Sequence, residues 1–468
     1  MMDNLSVKIK NIEIDNFKNT IHGALSLDNK KSESHNSVLA LFGQNGSGKT
    51  SVIEGLEILK SVLQGRPLEP SVLNYINVDS ENFYLKFNFS LSDCKAVELY
   101  EVYEVSYEFK VKQNTDISEA TLSLNEEKLP EIYDEILSLT IRNDSSKKGR
   151  KQATIRTNVS SAKDVFLPRK KYDELFGGNE NIKQELIVTK LLAKNQSRSF
   201  IFSNKFASLI IDDKKNEIIP AIIKRLKLYA QTQLFVISTS NSSLISLGAL
   251  PLSFKSENAS GTVFLSLAAP NKIPAQIFNI YSNVINNMNI VLNKIVPKLQ
   301  VGIVSRKTEF DENNNEISLV ELTSKKNEKE IPLKYESEGI KKIISVLNLL
   351  IKVYNEPSIT VAIDELDSGI FEYLLGEILK IISKAGEGQL IFTAHNLRAL
   401  ETIDKSFIAF TTTNKENRYT RLTNIKTNNN LRKYYYRAIQ LGLTQESLYD
   451  ETDNAEIEFA FAKAGMKS

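Results

Sequence analysis

The stretch from Val38 to Lys60 limits what this chain can fold into more than any other. An apolar run, Val38-Leu39-Ala40-Leu41-Phe42, leads into Gly43-Gln44-Asn45-Gly46-Ser47-Gly48-Lys49-Thr50, and then into Ser51-Val52-Ile53-Glu54-Gly55-Leu56-Glu57-Ile58-Leu59-Lys60. The middle block fits G-x-x-x-x-G-K-[ST] and stands between a strand pattern and an amphipathic helix pattern, the context a phosphate-binding loop requires. Glycines at 43, 46 and 48 permit a tight turn that aims several N–H groups at one point, and the helix adds its positive dipole end. A triphosphate fits such a nest. Its expected contacts are Gly43, Asn45, Gly46, Ser47, Gly48, Lys49, Thr50 and Ser51, with Lys49 reaching the β- and γ-phosphates and the Thr50 hydroxyl ligating Mg2+.

A second set of polar groups lies almost three hundred positions on. Glu336-Ser337-Glu338-Gly339-Ile340-Lys341-Lys342 opens an apolar helix, so that Ser337 is an N-cap and the turn at Ser337 and Gly339 offers N–H donors to an anion. Ser358-Ile359-Thr360-Val361-Ala362-Ile363 reads as a buried parallel strand ending in Asp364 and Glu365. Ligands of open α/β sheets gather at the carboxyl ends of strands. Asp364 is thus expected to hold Mg2+ through water and Glu365 to polarise the attacking water as general base. Gln389-Leu390-Ile391-Phe392-Thr393-Ala394 is a further buried strand that delivers His395 to the same sheet edge, where an imidazole can meet a γ-phosphate or the lytic water. His22 and His35 have no such context and read as surface residues.

Composition narrows the alternatives. The 468 residues hold 59 Lys+Arg against 57 Asp+Glu, so no global positive field favours nucleic acid. One cysteine, Cys94, excludes an internal disulfide, and one cysteine with three histidines leaves little for a zinc site. The start lacks a secretory pattern, and no run approaches about 18 uncharged apolar residues. A cytoplasmic setting and no membrane contact are expected.

Along the chain, Val7–Ile14 and Ala24–Leu27 alternate as strands. Asn82–Leu91, Ala96–Val111, Ala120–Leu124 and Ile136–Ile141 predict an antiparallel β region, since their links are too short for crossovers. Asn143–Lys151, Arg169–Lys171 and Lys224–Lys227 read as solvated basic stretches. Helical spacing over Asn181–Leu192, Glu217–Gln231 and Ala275–Leu299 makes the middle third helix-rich, with strands at Leu234–Thr239 and Thr262–Leu267 and a polar loop over Ser240–Ser246. Strand character resumes at Val301–Val304, Glu316–Leu322, Ser406–Phe410 and Tyr419–Ile425. Tyr434-Tyr435-Tyr436 opens a helix that packs on the sheet or a partner, and Phe459–Ala462 reads as a docking segment after an acidic stretch. The expected divisions are an N-terminal half that carries the phosphate loop and the antiparallel β region (1–162), a helix-rich insertion (163–297), a C-terminal half that carries the acids and His395 (298–425) and a helical tail (426–468).

Gly43–Thr50, Ser337–Gly339, Ile363–Glu365 and Thr393–His395 resemble the Walker A, signature, Walker B and switch-histidine motifs of ABC-type ATPases. Within that class the chain is similar to the RecF-, SMC- and OLD-like branch, and to compact ATPases of bacterial anti-phage defence loci in its Glu-Ser-Glu-Gly-x-Lys-Lys and Asp-Glu-Leu-Asp-Ser-Gly segments. The resemblance covers roughly residues 5–65 and 330–412. It implies an α/β P-loop NTPase of the ABC head type, a mixed sheet with an antiparallel β subdomain, that binds ATP and Mg2+. It also implies that Ser337 completes the site of a second copy, giving a homodimer or higher homo-oligomer. The expected function is an ATPase switch controlling a separate effector protein in defence. The rivals are a DNA repair or recombination ATPase and a nucleotide-gated scaffold that hydrolyses negligibly.

Overall fold

The computed structural model describes residues 5–27, 37–93, 101–115, 128–143, 150–159, 164–210, 218–238, 249–255, 260–310, 314, 316–327, 329–421, 430–441, 446–449 and 453–465. The expectations for Ala120–Leu124, Ser240–Ser246 and most of Asn143–Lys151 lie outside the described residues, as do Cys94 and His35.

Two six-stranded sheets enclose the helix Lys49–Leu63. The first is antiparallel, in the order Thr20–Ser26, Ser6–Phe17, Asn82–Ser92, Glu101–Gln113, Pro130–Asn143, Arg150–Arg156. Its strands alternate as a half-buried sheet must: Phe83, Leu85, Phe87, Phe89 and Leu91 point inward, while Tyr84, Lys86 and Asn88 stay partly exposed. The second runs Tyr419–Thr420, Ile408–Thr411, Ser37–Phe42, Gln389–Thr393, Thr360–Ile363, Leu234–Ile237, and only the pairing of Tyr419–Thr420 is antiparallel.

Strands buried on both faces read as unbroken apolar runs, and here the two-residue period deals them into two cores. Leu39, Leu41, Ala362, Ile391 and Ala409 face the Lys49–Leu63 helix and the antiparallel sheet. Val38, Ala40, Phe42, Val361, Ile363, Leu390 and Phe392 face the helices Glu338–Asn355 and Glu372–Ala385 on the other side. The loop after Phe42 and the acids after Ile363 therefore emerge side by side at one sheet edge. The Lys49–Leu63 helix is buried nearly all round because it has a sheet on either face, and Gly55 keeps it close to Ile14 and Leu85.

The block 163–297 contributes strands to the sheets around it: Leu234–Ile237 pairs with Thr360–Ile363 as the edge of the parallel sheet, and Tyr229 donates a 2.8 Å hydrogen bond to Thr360 Oγ1. Its strand Asn271–Pro274 likewise pairs with Glu316–Lys326 beyond it. One expectation needs correcting: Lys224–Lys227 is not a solvated run, because Arg225 is 1% exposed, with Nε donating to the Leu5 carbonyl and Nη2 to Gln233 Oε1, both at 2.7 Å. Partners on both sides let an arginine sit where its charge alone would forbid it.

The readings of His22 and of the Tyr434–Tyr436 cluster agree with the structure. His22 is exposed and sits 2.6 Å from Asp15. Tyr435 stacks on Phe410 with ring centroids 4.8 Å apart, which packs the Leu431–Leu441 helix against the sheet. The last helix, Asn454–Gly465, has no buried residue, and Phe459 and Phe461 face solvent. No helix among the described residues is long and apolar enough to cross a membrane.

Candidate active site

The phosphate loop is held from beneath by hydroxyls. Gly43 has φ 155°, and a side chain there would lie 1.7 Å from Thr411 Oγ1, so only glycine lets the loop rest on that strand. Ser47 Oγ shares that hydroxyl at 2.5 Å and donates to the Gln44 carbonyl at 2.5 Å. Gly48 caps the helix in a left-handed conformation, φ 90°, and its carbonyl accepts from the Tyr419 hydroxyl at 2.9 Å. The Asn19 side-chain amide donates to the Gly46 carbonyl, and the Arg418 guanidinium donates to the Asn19 carbonyl. Asn45 and Gly46 stay exposed at the mouth, whereas Ser51 is buried under the first turn.

Lys49, 6% exposed, folds back so that its ammonium donates to the carbonyls of Gly43 at 2.8 Å and Gln44 at 2.9 Å. Burial pushes its pKa down, and Asp364, Glu365 and Asp367 together pull it back. The loop lysine thus sits within electrostatic reach of the acids that follow Ile363. Thr50 Oγ1 stands 3.4 Å from Asp364 Oδ1, although the two residues are 314 positions apart.

The acids have their own support. Thr393 Oγ1 donates to Asp364 Oδ1 at 2.5 Å and accepts from the Glu365 N–H at 2.8 Å, so one buried hydroxyl orients both. Glu365 has φ 48°, a left-handed conformation that costs a non-glycine residue about 1 kcal/mol or more. Asp367 Oδ2 accepts from the N–H groups of His395 at 2.9 Å and Asn396 at 2.6 Å, which ties the histidine's backbone to the acid loop and leaves its side chain exposed.

Ser337 caps the Glu338–Asn355 helix by accepting from the Ile340 N–H at 3.4 Å and is exposed. Among the described residues no hydrogen bond joins it to the Gly43–Thr50 loop. Gly339 lies against the carbonyl of Gly369, where an added Cβ would sit at 2.5 Å. The structure thus gathers Lys49, Thr50, Asp364, Glu365 and the His395 backbone at one edge, and sets Ser337 outside that group. Thr393, Thr411, Tyr419, Asn19 and Arg418 were not anticipated. Thr393 could have been found as the one polar residue ending an apolar strand; the others carry no sequence signal.

Thr50 and Asp364 present two hard oxygen donors at a spacing that suits Mg2+, which takes one or two carboxylates and completes its shell with water and substrate phosphates. Thr393 fixes the Asp364 carboxylate beside Thr50, and this donor set fits the ion.

Fold and constellation define a P-loop ATPase of the mixed-sheet, ABC-head kind. The chain belongs to the AAA ATPase domain family (AAA_15), whose model matches residues 8–399. No curated protein sequence matches it. Solved structures similar to this chain include the Smc head domain of Pyrococcus furiosus, at 11% identity and a TM-score of 0.41 over 93% of this chain and 100% of that one. The SMC head domain of Thermotoga maritima is 13% identical, with a TM-score of 0.36 over 89% and 99%. The recombination mediator RecF with ATP is 16% identical, with a TM-score of 0.37 over 89% and 100%. Similarity at this level says nothing of what this chain acts on.

Proposed function

We propose that this protein is a Mg2+-dependent ATPase that works as a nucleotide switch. The observation that carries this is the convergence of Thr50 and Asp364 at 3.4 Å beside Lys49, on elements that only the folded sheet brings together. Lys49 releases the Gly43 and Gln44 carbonyls and takes the β- and γ-phosphates, which are stronger acceptors because they are charged. The loop N–H groups and the helix dipole hold the remaining phosphate oxygens. When bound between Thr50 and Asp364, Mg2+ neutralises charge on the transferring phosphoryl group. Glu365 accepts a proton from the attacking water, and His395 contacts the γ-phosphate from the adjacent strand end.

Ser337 is exposed on a helix start and serves the site of a second copy, so two chains clamp two ATP and dimerisation rises with nucleotide. Hydrolysis then separates the copies and signals to an effector protein. A role in anti-phage defence is supported by the sequence form of Glu336–Lys342 and Asp364–Gly369; phage challenge of cells carrying this gene with its neighbour tests it, and Lys49→Ala should lose the protection.

The direct test is turnover and mass with and without ATP in the wild type, Lys49→Ala and Glu365→Gln. Equal turnover in all three ends the assignment. DNA-stimulated turnover moves the task to recombination or repair. Slow turnover, with an ATP-dependent assembly that is the same in wild type and Glu365→Gln, makes the chain a scaffold.

A further inference from the structure

The hairpin that joins the first two strands lies over the phosphate loop. Phe17 pairs with Thr20, so Lys18 and Asn19 are the central residues of a two-residue turn. Lys18 has φ 53°, and Asn16 just before the turn has φ 55°. A positive φ at the first central position suits glycine or asparagine, and a longer side chain is strained there. Lysine at this place therefore needs a reason that the turn itself does not supply. Its ammonium donates to Glu54 Oε1 at 2.6 Å, on the helix that begins in the phosphate loop, and stands 4.5 Å from the centre of the Tyr75 ring. The Lys18 N–H donates to the Tyr75 carbonyl at 2.7 Å, and the Lys18 carbonyl accepts from the Asn77 side-chain amide at 2.6 Å.

Glu54 is 9% exposed and lies four residues after Thr50, on the same face of the helix. Its Oε2 is buried and, among the described residues, accepts no hydrogen bond. Asn19, the residue after Lys18, donates to the Gly46 carbonyl in the phosphate loop. Both contacts come from one short turn, so whatever holds Lys18 also sets where Asn19 can reach.

We propose that Lys18 is a positioning residue for the phosphate loop. Its ion pair with Glu54 locks the 17–20 turn to the helix, and the locked turn holds Asn19 on Gly46. Lys18 acts through Asn19 and not on the phosphates themselves. A loop braced in this way loses less freedom when it takes a ligand, so the pair raises affinity and leaves the chemical step alone. The inference rests on the reading above for what the loop binds, but its first test needs no nucleotide.

That test is amide hydrogen exchange over residues 43–50 of the nucleotide-free full chain, in wild type, Lys18→Met, Lys18→Arg and a double variant, Lys18→Met with Glu54→Leu. Breaking a buried pair from one side leaves an uncompensated charge, and removing both partners relieves it, so the double variant should regain the melting temperature that Lys18→Met loses. Exchange over 43–50 should still be faster by about five- to tenfold in both, since neither ties the turn to the helix by a charge, while Lys18→Arg should exchange like wild type. Asn19→Ala should loosen the loop with the ion pair intact. In a second measurement, ATP should bind about tenfold more weakly to Lys18→Met and to the double variant, with saturated turnover within about twofold of wild type. Unchanged exchange over 43–50 in a folded Lys18→Met overturns the proposal. So does a double variant that recovers loop protection and ATP affinity together with its stability, which would make the pair a matter of buried charge alone. A wild-type chain that binds no ATP would sink the functional reading and leave the exchange result to judge Lys18 on its own.

Discussion

Under the proposed function the phosphate loop and the helix that starts at Ser337 serve one reaction centre, and a single chain finishes them to different degrees. Around the loop, Lys49 has two carbonyl partners, Ser47 has Thr411 and Gln44, and the Gly48 carbonyl has Tyr419. Among the described residues the Ser337 hydroxyl has its own helix's Ile340 N–H as partner, and the residue faces solvent. A preorganised loop loses little freedom when a ligand arrives, whereas a lone exposed serine gains its role from something that docks on it. Nucleotide binding should therefore be a property of the monomer, and turnover a property of the pair.

The largest effect expected is on the acid side. Glu365→Gln should keep ATP and lower turnover by about 10²–10⁴-fold, since it removes the proposed general base. A phosphate-release assay alongside an ATP titration checks both halves of that statement. Lys49→Ala should weaken ATP by about 100-fold, equivalent to about 3 kcal/mol from charge-assisted contacts, read by titrating a fluorescent nucleotide. If instead ATP affinity depended on protein concentration, the loop would not be complete within one chain and the contrast would fail.

Ser337→Arg probes the open half. ATP affinity should stay within about twofold, while ATP-dependent doubling of mass is lost and turnover falls by about tenfold or more. Retained dimers would place the contact surface elsewhere. Thr393→Val separates support from chemistry: it strips a buried hydroxyl from Asp364 and from the Glu365 N–H, and should cost about 1–3 kcal/mol of stability in a denaturant melt.

The smallest effect concerns the helix beneath the loop. Burial, with Arg66 nearby, pushes the Lys60 ammonium from its ordinary 10.5 down to about 8. The unfolded chain keeps this proton up to 10.5 and the folded chain gives it up near 8, so unfolding takes up a proton in that window and stability rises with pH across it. Below 8 both states are protonated and the penalty is present in full. Lys60→Met should stabilise at pH 7 by about 1–2 kcal/mol, discounted for partial solvent screening, and the gain should fade toward pH 10.5.

Much of the site was legible because its signals are local. A strand, a glycine-rich turn and a helix in succession leave one place for a phosphate, and the amphipathic pattern after the turn is the helix Lys49–Leu63. The acids at 364 and 365 showed themselves as polar groups ending an apolar run. Arg225 misled because a basic run usually marks surface, and nothing nearby in sequence announces that Leu5 will accept its proton. Leu234–Ile237 was readable as a strand but not as an edge of the central sheet, since pairing choice is not written in the strand itself.

The amino-acid order alone determined the chemistry available: which residues can cradle phosphate, which can hold Mg2+, and which strands lie buried on both faces. The tertiary structure decided which groups brace that chemistry. Thr411 reaches Ser47 across 364 positions and Tyr419 reaches Gly48 across 371. A hydrogen bond of 3 Å between such distant residues depends on the whole sheet order, and short-range patterns carry no record of it.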